Sequence, residues 1–361
     1  MMTTPSTSLR TASSAEATAL HREIHEQPKV LAKLLSEGWP TVCEVAQRIA
    51  AFGPVWVNIV ARGTSDNAAR YAQYLFGVNN QLGVALAAPS LCTLYNTAPR
   101  LKEALTIGVS QSGQSPDVVS VLEAARKQGG LTLAISNDPD SPLARAAHLC
   151  IELNAGCEQS VAATKTYTTE LLAFAMLSAA MTGHAGQREA LLTVPNAVES
   201  TIAACRSTMG NATQYGHVRR LVVVGRGFNF ATAHEIALKL KETSYVLAEP
   251  YSSADLLHGP VALIERDFPV MLVAPSGRGH DSVVELLDVA EQRGARTIAI
   301  SDVPAVLERA DLGLAMPKGI PEWLSPICAV VPGQLFAETL STSKGINPDK
   351  PRGLSKVTLT R

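Results

Sequence analysis

The segment Ser110-Gln-Ser-Gly-Gln-Ser115, followed by Pro116-Asp117, puts three hydroxyls and a glycine directly after an apolar run. At the start of a helix such residues can cradle a phosphate. Hydroxyls and free backbone N–H groups point at the anion, and the helix dipole favours negative charge. Ser115 is placed to cap that helix, with Pro116 at its first position and Asp117 in its first turn. A plain capped strand–helix turn accounts for those three residues but leaves Ser110 and Ser112 unexplained, which favours the phosphate. Neither G-x-x-x-x-G-K-[ST] nor G-x-G-x-x-G occurs here, which argues against a nucleotide.

Other polar clusters lie elsewhere. Arg62-Gly-Thr64-Ser65-Asp66-Asn67 is a second hydroxyl-bearing turn, where Ser65 fits a helix cap, a ligand contact or both. Glu158-Gln-Ser-Val161-Ala-Ala-Thr164-Lys165-Thr166 is polar for a segment that leads into an apolar helix. A helix N-terminus explains it as well as a binding site does. Glu235, Lys239 and Glu242 fall on one helical face, ordinarily a solvated ion-pair face. Ala237, Leu238, Leu240, Tyr245 and Val246 nevertheless make that stretch largely apolar. His258, in Leu256-Leu-His-Gly-Pro260, occupies a turn, where an imidazole is free to move protons.

A hidden repeat positions these groups. Gly227 follows Gly63 by 164 residues, and Ser276-Gly277 follows Ser112-Gly113 by the same 164. Asp281 follows Asp117 at that offset too, and Arg296–Ser301 echoes Leu131–Ser136 at 165. Matches in the same order at nearly constant offset predict two copies of one α/β domain. Copy two has lost the hydroxyl pattern: Pro275-Ser-Gly-Arg lacks the first Ser and Gln, and Phe228-Asn-Phe230 replaces Thr-Ser-Asp. The phosphate pocket is therefore expected in copy one.

Apolar runs at Val55–Val60, Ala104–Val109, Leu131–Ile135, Leu221–Val224, Val270–Val273 and Thr297–Ile300 lack alternation. Such runs suit strands buried on both faces of a parallel sheet, with helices between them. Glu23–Gln47 reads as a helix interrupted near Pro28; Thr168–Met181 and Asn196–Thr208 read as helices joining the halves. In a doubly wound sheet, ligands bind at the carboxyl ends of the strands, where strand order reverses. The expected division is a tail over 1–20, a first domain over 21–205, a second over 206–343 and a C-terminal tail over 344–361.

Composition sets the outer limits. A chain of 361 residues with 46% hydrophobic and 17% charged residues is an ordinary globular protein, not a disordered one. Lys and Arg total 31 against 32 Asp and Glu, so no basic field exists to bind nucleic acid or an anionic membrane. The apolar stretch Leu171–Met181 is too short to span a bilayer, and Met1–Ala17 has no apolar signal core. The cysteines, without C-x-x-C pairs, read as buried reduced thiols of a cytoplasmic protein.

The motifs Gly63-Thr-Ser65, Ser110-Gln-Ser-Gly113, Val161-Ala-Ala-Thr-Lys165, Ala237-Leu-Lys-Leu-Lys-Glu242, His258-Gly-Pro260 and Pro351-Arg352 resemble the sugar isomerase (SIS) domain family. The resemblance runs from Glu23 to Lys356. It is closest to the isomerase half of glucosamine-6-phosphate synthases and, closer still, to SIS-type glucosamine-6-phosphate deaminases. It implies two tandem SIS domains, each a doubly wound parallel sheet. Ser110, Gln111, Ser112 and Ser115 would hold a sugar phosphate, with Thr64 nearby; Ser65 and Val161 would line the sugar.

On the same resemblance Glu242 would move the proton between C1 and C2, with Lys239 beside it. His258 would open the ring, donated by the partner in a homodimer. Lys356, next to Ser355 in a tail closing over the site, would contact the open-chain sugar and could form an imine. No metal or organic cofactor is implied. Only a short tail precedes Glu23 in this sequence, so glutamine is not expected to be the nitrogen donor through a glutaminase domain; Leu257 stands where the synthases have Lys, and Ser355 where they have Ala. The resulting expectation is a deaminase converting glucosamine 6-phosphate to fructose 6-phosphate and ammonia. The alternatives are galactosamine 6-phosphate, a fructosyl-amino-acid phosphate, a glutamine-independent aminotransferase, or a non-catalytic sugar-phosphate sensor.

Overall fold

The structure, a computed structural model, describes residues 17–356. Most of the tail read over 1–20, and the last residues of the one read over 344–361, lie outside them.

The unbroken apolar runs form the centres of two parallel sheets. The first holds β1 (Trp56–Val60), β2 (Gly83–Leu86), β3 (Ala104–Ser110), β4 (Leu131–Ser136) and β5 (Leu149–Glu152), in the order β2-β1-β3-β4-β5. The second holds β6 (Arg220–Gly225), β7 (Leu247–Ser252), β8 (Pro269–Val273), β9 (Arg296–Ser301) and β10 (Leu312–Ala315), in the order β10-β9-β8-β6-β7. Counted from each sheet's first strand the two orders are identical, so the duplication inferred from the offsets is a duplication of fold.

Strands β3, β4 and β8 are buried at every position, as sheets covered on both faces require. In the second sheet Leu221, Val223 and Met271 face one core, while Val222, Val224 and Leu272 face another. The first of these cores is continuous with the inner face of the first sheet. Helices Ala19–Phe52, Lys165–Thr182, Asn229–Ser244 and Ser325–Ser343 fill the space between the sheets. Helix Lys165–Thr182 is buried on all sides from Lys165 to Ala179, which explains the apolar stretch Leu171–Leu177 and leaves the polar Lys165–Glu170 to find partners inside.

The outer strands β2, β5, β7 and β10 escaped the sequence reading. They run four to six residues with partly exposed faces, so they carry no long apolar run. The expected break near Pro28 is also absent: helix Ala19–Phe52 passes through Pro28 and Pro40. A proline lacks the N–H that would bond the carbonyl four residues back. Here the Gln27 side chain supplies the donor instead, bonding the Ile24 carbonyl at 2.9 Å. The cysteines are unpaired, but only Cys205 and Cys328 are buried and Cys157 is exposed, a correction to the expectation that all are core thiols. Among the described residues no helix is long and apolar enough to cross a membrane.

Strand order reverses between β1 and β3, which are neighbours in the first sheet although β2 separates them in sequence. The loops leaving them, with Thr64-Ser65 and Ser110–Ser115, therefore open into one crevice.

Candidate active site

Backbone shape comes first in this crevice. Gly113 has φ 61°, and a Cβ there would lie 2.2 Å from Ser141 Oγ, so the loop after β3 closes only around glycine. The Gly113 N–H donates to Ser110 Oγ at 3.1 Å, and the Gln114 N–H to Ser112 Oγ at 3.3 Å. Ser115 occupies the N-cap of helix Pro116–Lys127, but its hydroxyl makes no capping bond. That departs from the sequence expectation and leaves the hydroxyl available to a ligand. Arg62 Nε donates to the buried Asp117 carboxylate at 2.7 Å, tying the loop after β1 to the helix after β3.

A cavity of about 340 Å³ fills the crevice, within the range of small-molecule sites. Copy one lines it with Thr64, Ser65, Ser110, Gln111, Ser112 and Ser115, and the following segment adds Val161. Copy two contributes Lys239 and Glu242, and the C-terminal segment contributes Ser355 and Lys356. His258 stands apart from this cavity. It is exposed at the C-terminal end of helix Ser253–Leu257, beside Leu257 and near Leu263, which are 46% and 49% exposed.

The i, i+3 and i, i+4 spacings on helix Asn229–Ser244 make Lys239 a bridge. Its ammonium lies 2.5 Å from Glu242 Oε2 and 3.4 Å from Glu235 Oε1. Burial alone would pull this ammonium down, yet the two carboxylates hold its pKa above the usual lysine value. Glu235 is fully buried, and burial raises its pKa to about 7 against the pull of Lys239 and of hydrogen bonds from Asn67 Nδ2 (2.8 Å) and Thr64 Oγ1 (3.1 Å). Thr64 also accepts from Lys239 Nζ at 3.1 Å. The first turn of copy one is thus bonded directly to the charged face of copy two. Glu242 is the member of this group whose side chain is partly open, at 25% exposure.

Two carboxyls here were not singled out from sequence. Glu158 is buried, accepts from the Thr164 and Thr166 N–H groups at 2.9 and 3.2 Å, and takes Gln111 Nε2 at 2.6 Å. Lys356 Nζ reaches the same carboxylate at 2.9 Å and the Ser160 carbonyl at 2.7 Å. The cluster Glu158–Thr166 is therefore both a helix N-terminus and a wall of the site. Glu170, one turn into helix Lys165–Thr182, lines the cavity and accepts from Ser65 Oγ at 2.7 Å. Nothing in its local sequence, between Thr169 and Leu171, points to this.

Two segments, residues 57–180 and 215–343, match the SIS domain family. The chain belongs to that family. The second SIS match begins after helix Val194–Cys205, which lies between the two segments. At 35% identity over 345 residues the chain is similar to the glutamine–fructose-6-phosphate aminotransferase of Thermococcus kodakarensis. The match covers 93% of this chain and 57% of that relative, so the chain spans little more than half its length. Among solved structures it resembles the C-terminal domain of glucosamine-fructose-6-phosphate aminotransferase from Francisella tularensis, with TM-score 0.84 and 26% identity. That likeness covers 94% of this chain and 100% of the other. The glucosamine-6-phosphate deaminase of Thermotoga maritima shares the fold, with TM-score 0.77 at 21% identity, over 95% and 100% of the two chains.

The two SIS copies divide the labour around the cavity. The first supplies a hydroxyl-rich loop, and the second a carboxylate paired with an ammonium.

Proposed function

We propose that this SIS protein is an amino-sugar-phosphate isomerase and deaminase, converting glucosamine 6-phosphate and water to fructose 6-phosphate and ammonia. One observation carries the reading: a single cavity joins the Ser110–Ser115 cradle to the Glu242 carboxylate. The cradle suits a phosphate, and the carboxylate suits proton transfer at the other end of a short sugar. The relatives named for glucosamine and fructose 6-phosphates agree with such a substrate.

Phosphate binding would spend remote interaction energy on orienting the sugar. With the ring open, Glu242 takes the proton from C2 and returns one to C1. The amino aldose thereby becomes an enolamine and then a ketimine. Water adds to C2, and the C–N bond breaks to leave the ketose and ammonia. Lys239, its ammonium 2.5 Å from Glu242 Oε2, holds that carboxylate in place for both transfers. Ring opening falls to His258 of a second copy in a homodimer. This chain's own His258 lies outside its cavity, set among exposed leucines of the kind that pack between subunits. A sensor would need the cradle but not the Glu242–Lys239 pair, so catalysis is the better account.

Ammonia release and fructose 6-phosphate formation from 2-amino-2-deoxyhexose 6-phosphates test this, with the reverse amination measured alongside. Glucosamine and galactosamine 6-phosphates and fructosyl-amino-acid phosphates form the panel. Stoichiometric ammonia and fructose 6-phosphate from glucosamine 6-phosphate is the expected result. Isomerisation without ammonia, or no reaction with any member, would discard the deaminase.

A further inference from the structure

Glu170 is the one carboxyl of the cavity that the mechanism above does not use. It is fully buried, and one oxygen, Oε1, accepts from Ser65 Oγ at 2.7 Å. The other, Oε2, is buried and has no hydrogen-bond partner among the described residues. Buried polar atoms are almost always satisfied, so an orphan oxygen on a cavity-lining residue marks a place for a ligand atom. We propose that Glu170 selects a 2-amino sugar phosphate over its hydroxyl counterpart, its carboxylate pairing with the substrate ammonium. This rests on the amino-sugar-phosphate reading of the cavity and names the residue that recognises the nitrogen.

The surroundings favour a cation over a neutral hydroxyl. Helix Asn229–Ser244 faces Glu170 with Glu235 and Lys239, and the segment before its own helix with Glu158; the nearby ammonium of Lys239 is already shared by Glu235 and Glu242. Helix Gly63–Asn80 presents Ser65, and Tyr167 lies nearby on Glu170's own helix. Helix Ala19–Phe52 directs its acids elsewhere, Glu26 to Lys165 and Glu23 to the Gln159 and Ser160 N–H groups. Burial holds the Glu170 carboxyl up to about 8, so near neutral pH it carries a proton. An ammonium placed beside it favours the ionised form and expels that proton. A hydroxyl does not.

Two reduced probes separate these cases: 2-amino-2-deoxyglucitol 6-phosphate and glucitol 6-phosphate. Neither has a carbonyl, so neither can react, and they differ only at C2. Calorimetry at pH 7 in buffers of different ionisation enthalpy counts the protons each releases. The amino probe is expected to bind the wild type at least about tenfold more tightly, the usual scale of a charge-assisted bond. It should also release on the order of one proton more than the hydroxyl probe, a difference that fades above pH 9 where Glu170 is already ionised. Glu170→Gln should erase most of the preference while holding glucitol 6-phosphate within about threefold of wild type.

Equal proton counts for the two probes in the wild type overturn the proposal, even if the variant fails to fold. So does a folded Glu170→Gln protein that keeps the preference, or one that loses both probes equally. A wild type that binds neither probe overturns the sugar-phosphate reading as well. A wild type that deaminates but shows no amino preference overturns this inference alone.

Discussion

The loops after β3 and after β8 are the same turn at equivalent places in the two copies, and they end up with opposite uses. In copy two the Ser276 N–H and Oγ donate to the Asp302 carboxylate at 2.7 and 2.6 Å. The Gly279 N–H donates to Glu322 at 3.1 Å, and Glu322 packs so closely that a Cβ on Gly277 would lie 2.5 Å from its Cδ. The chain thus supplies its own anions to the turn. In copy one the position equivalent to Asp302 is Asn137, 165 residues earlier. It is neutral and turned aside, donating to the Gly156 carbonyl at 2.8 Å and accepting from the Ala155 N–H at 2.9 Å. The fold builds the same strand-exit turn twice, a shape suited to anions. In copy two Asp302 takes the Ser276 N–H and hydroxyl, whereas the neutral Asn137 of copy one is bonded away from Ser112.

The sharpest contrast is chemical, because copy two holds Glu242, the carboxylate proposed to move the proton. Glu242→Gln keeps the shape of that side chain and removes the base. Turnover is expected to fall by about 10²-fold or more, the usual worth of a positioned acid–base group. Phosphate binding should hardly change, while Tm should fall modestly, since the buried Lys239 ammonium keeps Glu235 as its carboxylate partner. Wild type run in deuterium oxide should place deuterium at C1 of the ketose, and the variant almost none. Near-wild-type ammonia release from Glu242→Gln would move the proton shuttle to another residue.

The next contrast is between Glu242, inside the cavity, and His258, outside it. If His258 serves a neighbouring copy, mixing inactive Glu242→Gln and His258→Asn proteins should build hybrid dimers with one intact site. Such a mixture recovers up to about a quarter of wild-type activity if subunits exchange at random and the sites are independent. Each protein alone stays inactive. No recovery, despite exchange shown by mass spectrometry, would count against sites shared between copies.

The two serine loops predict opposite phenotypes for the same substitution. Ser112→Ala should weaken inorganic phosphate and sugar-phosphate binding by roughly 10- to 100-fold, the range for a lost hydrogen bond to a charged group, with little change in Tm. Ser276→Ala should leave phosphate binding alone and lower stability, because it strands a partner of the Asp302 carboxylate. Equal effects on phosphate binding in both variants would erase the distinction between the copies.

How much of this was legible in the sequence follows from where each signal is stored. The constant offset survives because buried strands and their exit glycines tolerate little change in spacing, so the duplication and the central strands of both sheets are legible in spacing alone. Ser110, Ser112 and the Glu235–Lys239–Glu242 face were visible for a similar reason: local spacing places them together. Glu158 and Glu170 were not, because their meaning lies in contacts with residues far along the chain, Lys356 and Ser65. Pro28 misled because the compensating donor is a side chain, Gln27, that no helix rule counts. Nothing in its local sequence marks Asn137. Its importance appears only when it is laid over Asp302.

That superposition supplies the subtlest test. Asn137→Asp places in copy one the charge that copy two carries. The new carboxylate loses its bond to the Gly156 carbonyl, since it has no N–H to donate, and so has reason to turn toward the donors of the Ser112 loop. There it competes with phosphate for the same groups and repels it, a cost of about 1–2 kcal/mol even in a well-screened site. Free phosphate and sugar-phosphate affinity should drop about tenfold, less than for a lost hydroxyl at the upper end of the range above. Raising salt should recover part of the loss, which a steric defect would not allow. The reverse change, Asp302→Asn, keeps an acceptor for Ser276 and removes only its charge. It should cost about 1 kcal/mol of stability, measured by urea unfolding, and leave phosphate affinity untouched. If Asn137→Asp binds phosphate as wild type does, a neutral residue at that position is not what keeps the first turn open, and the contrast must rest on Ser110 and Gln111 alone.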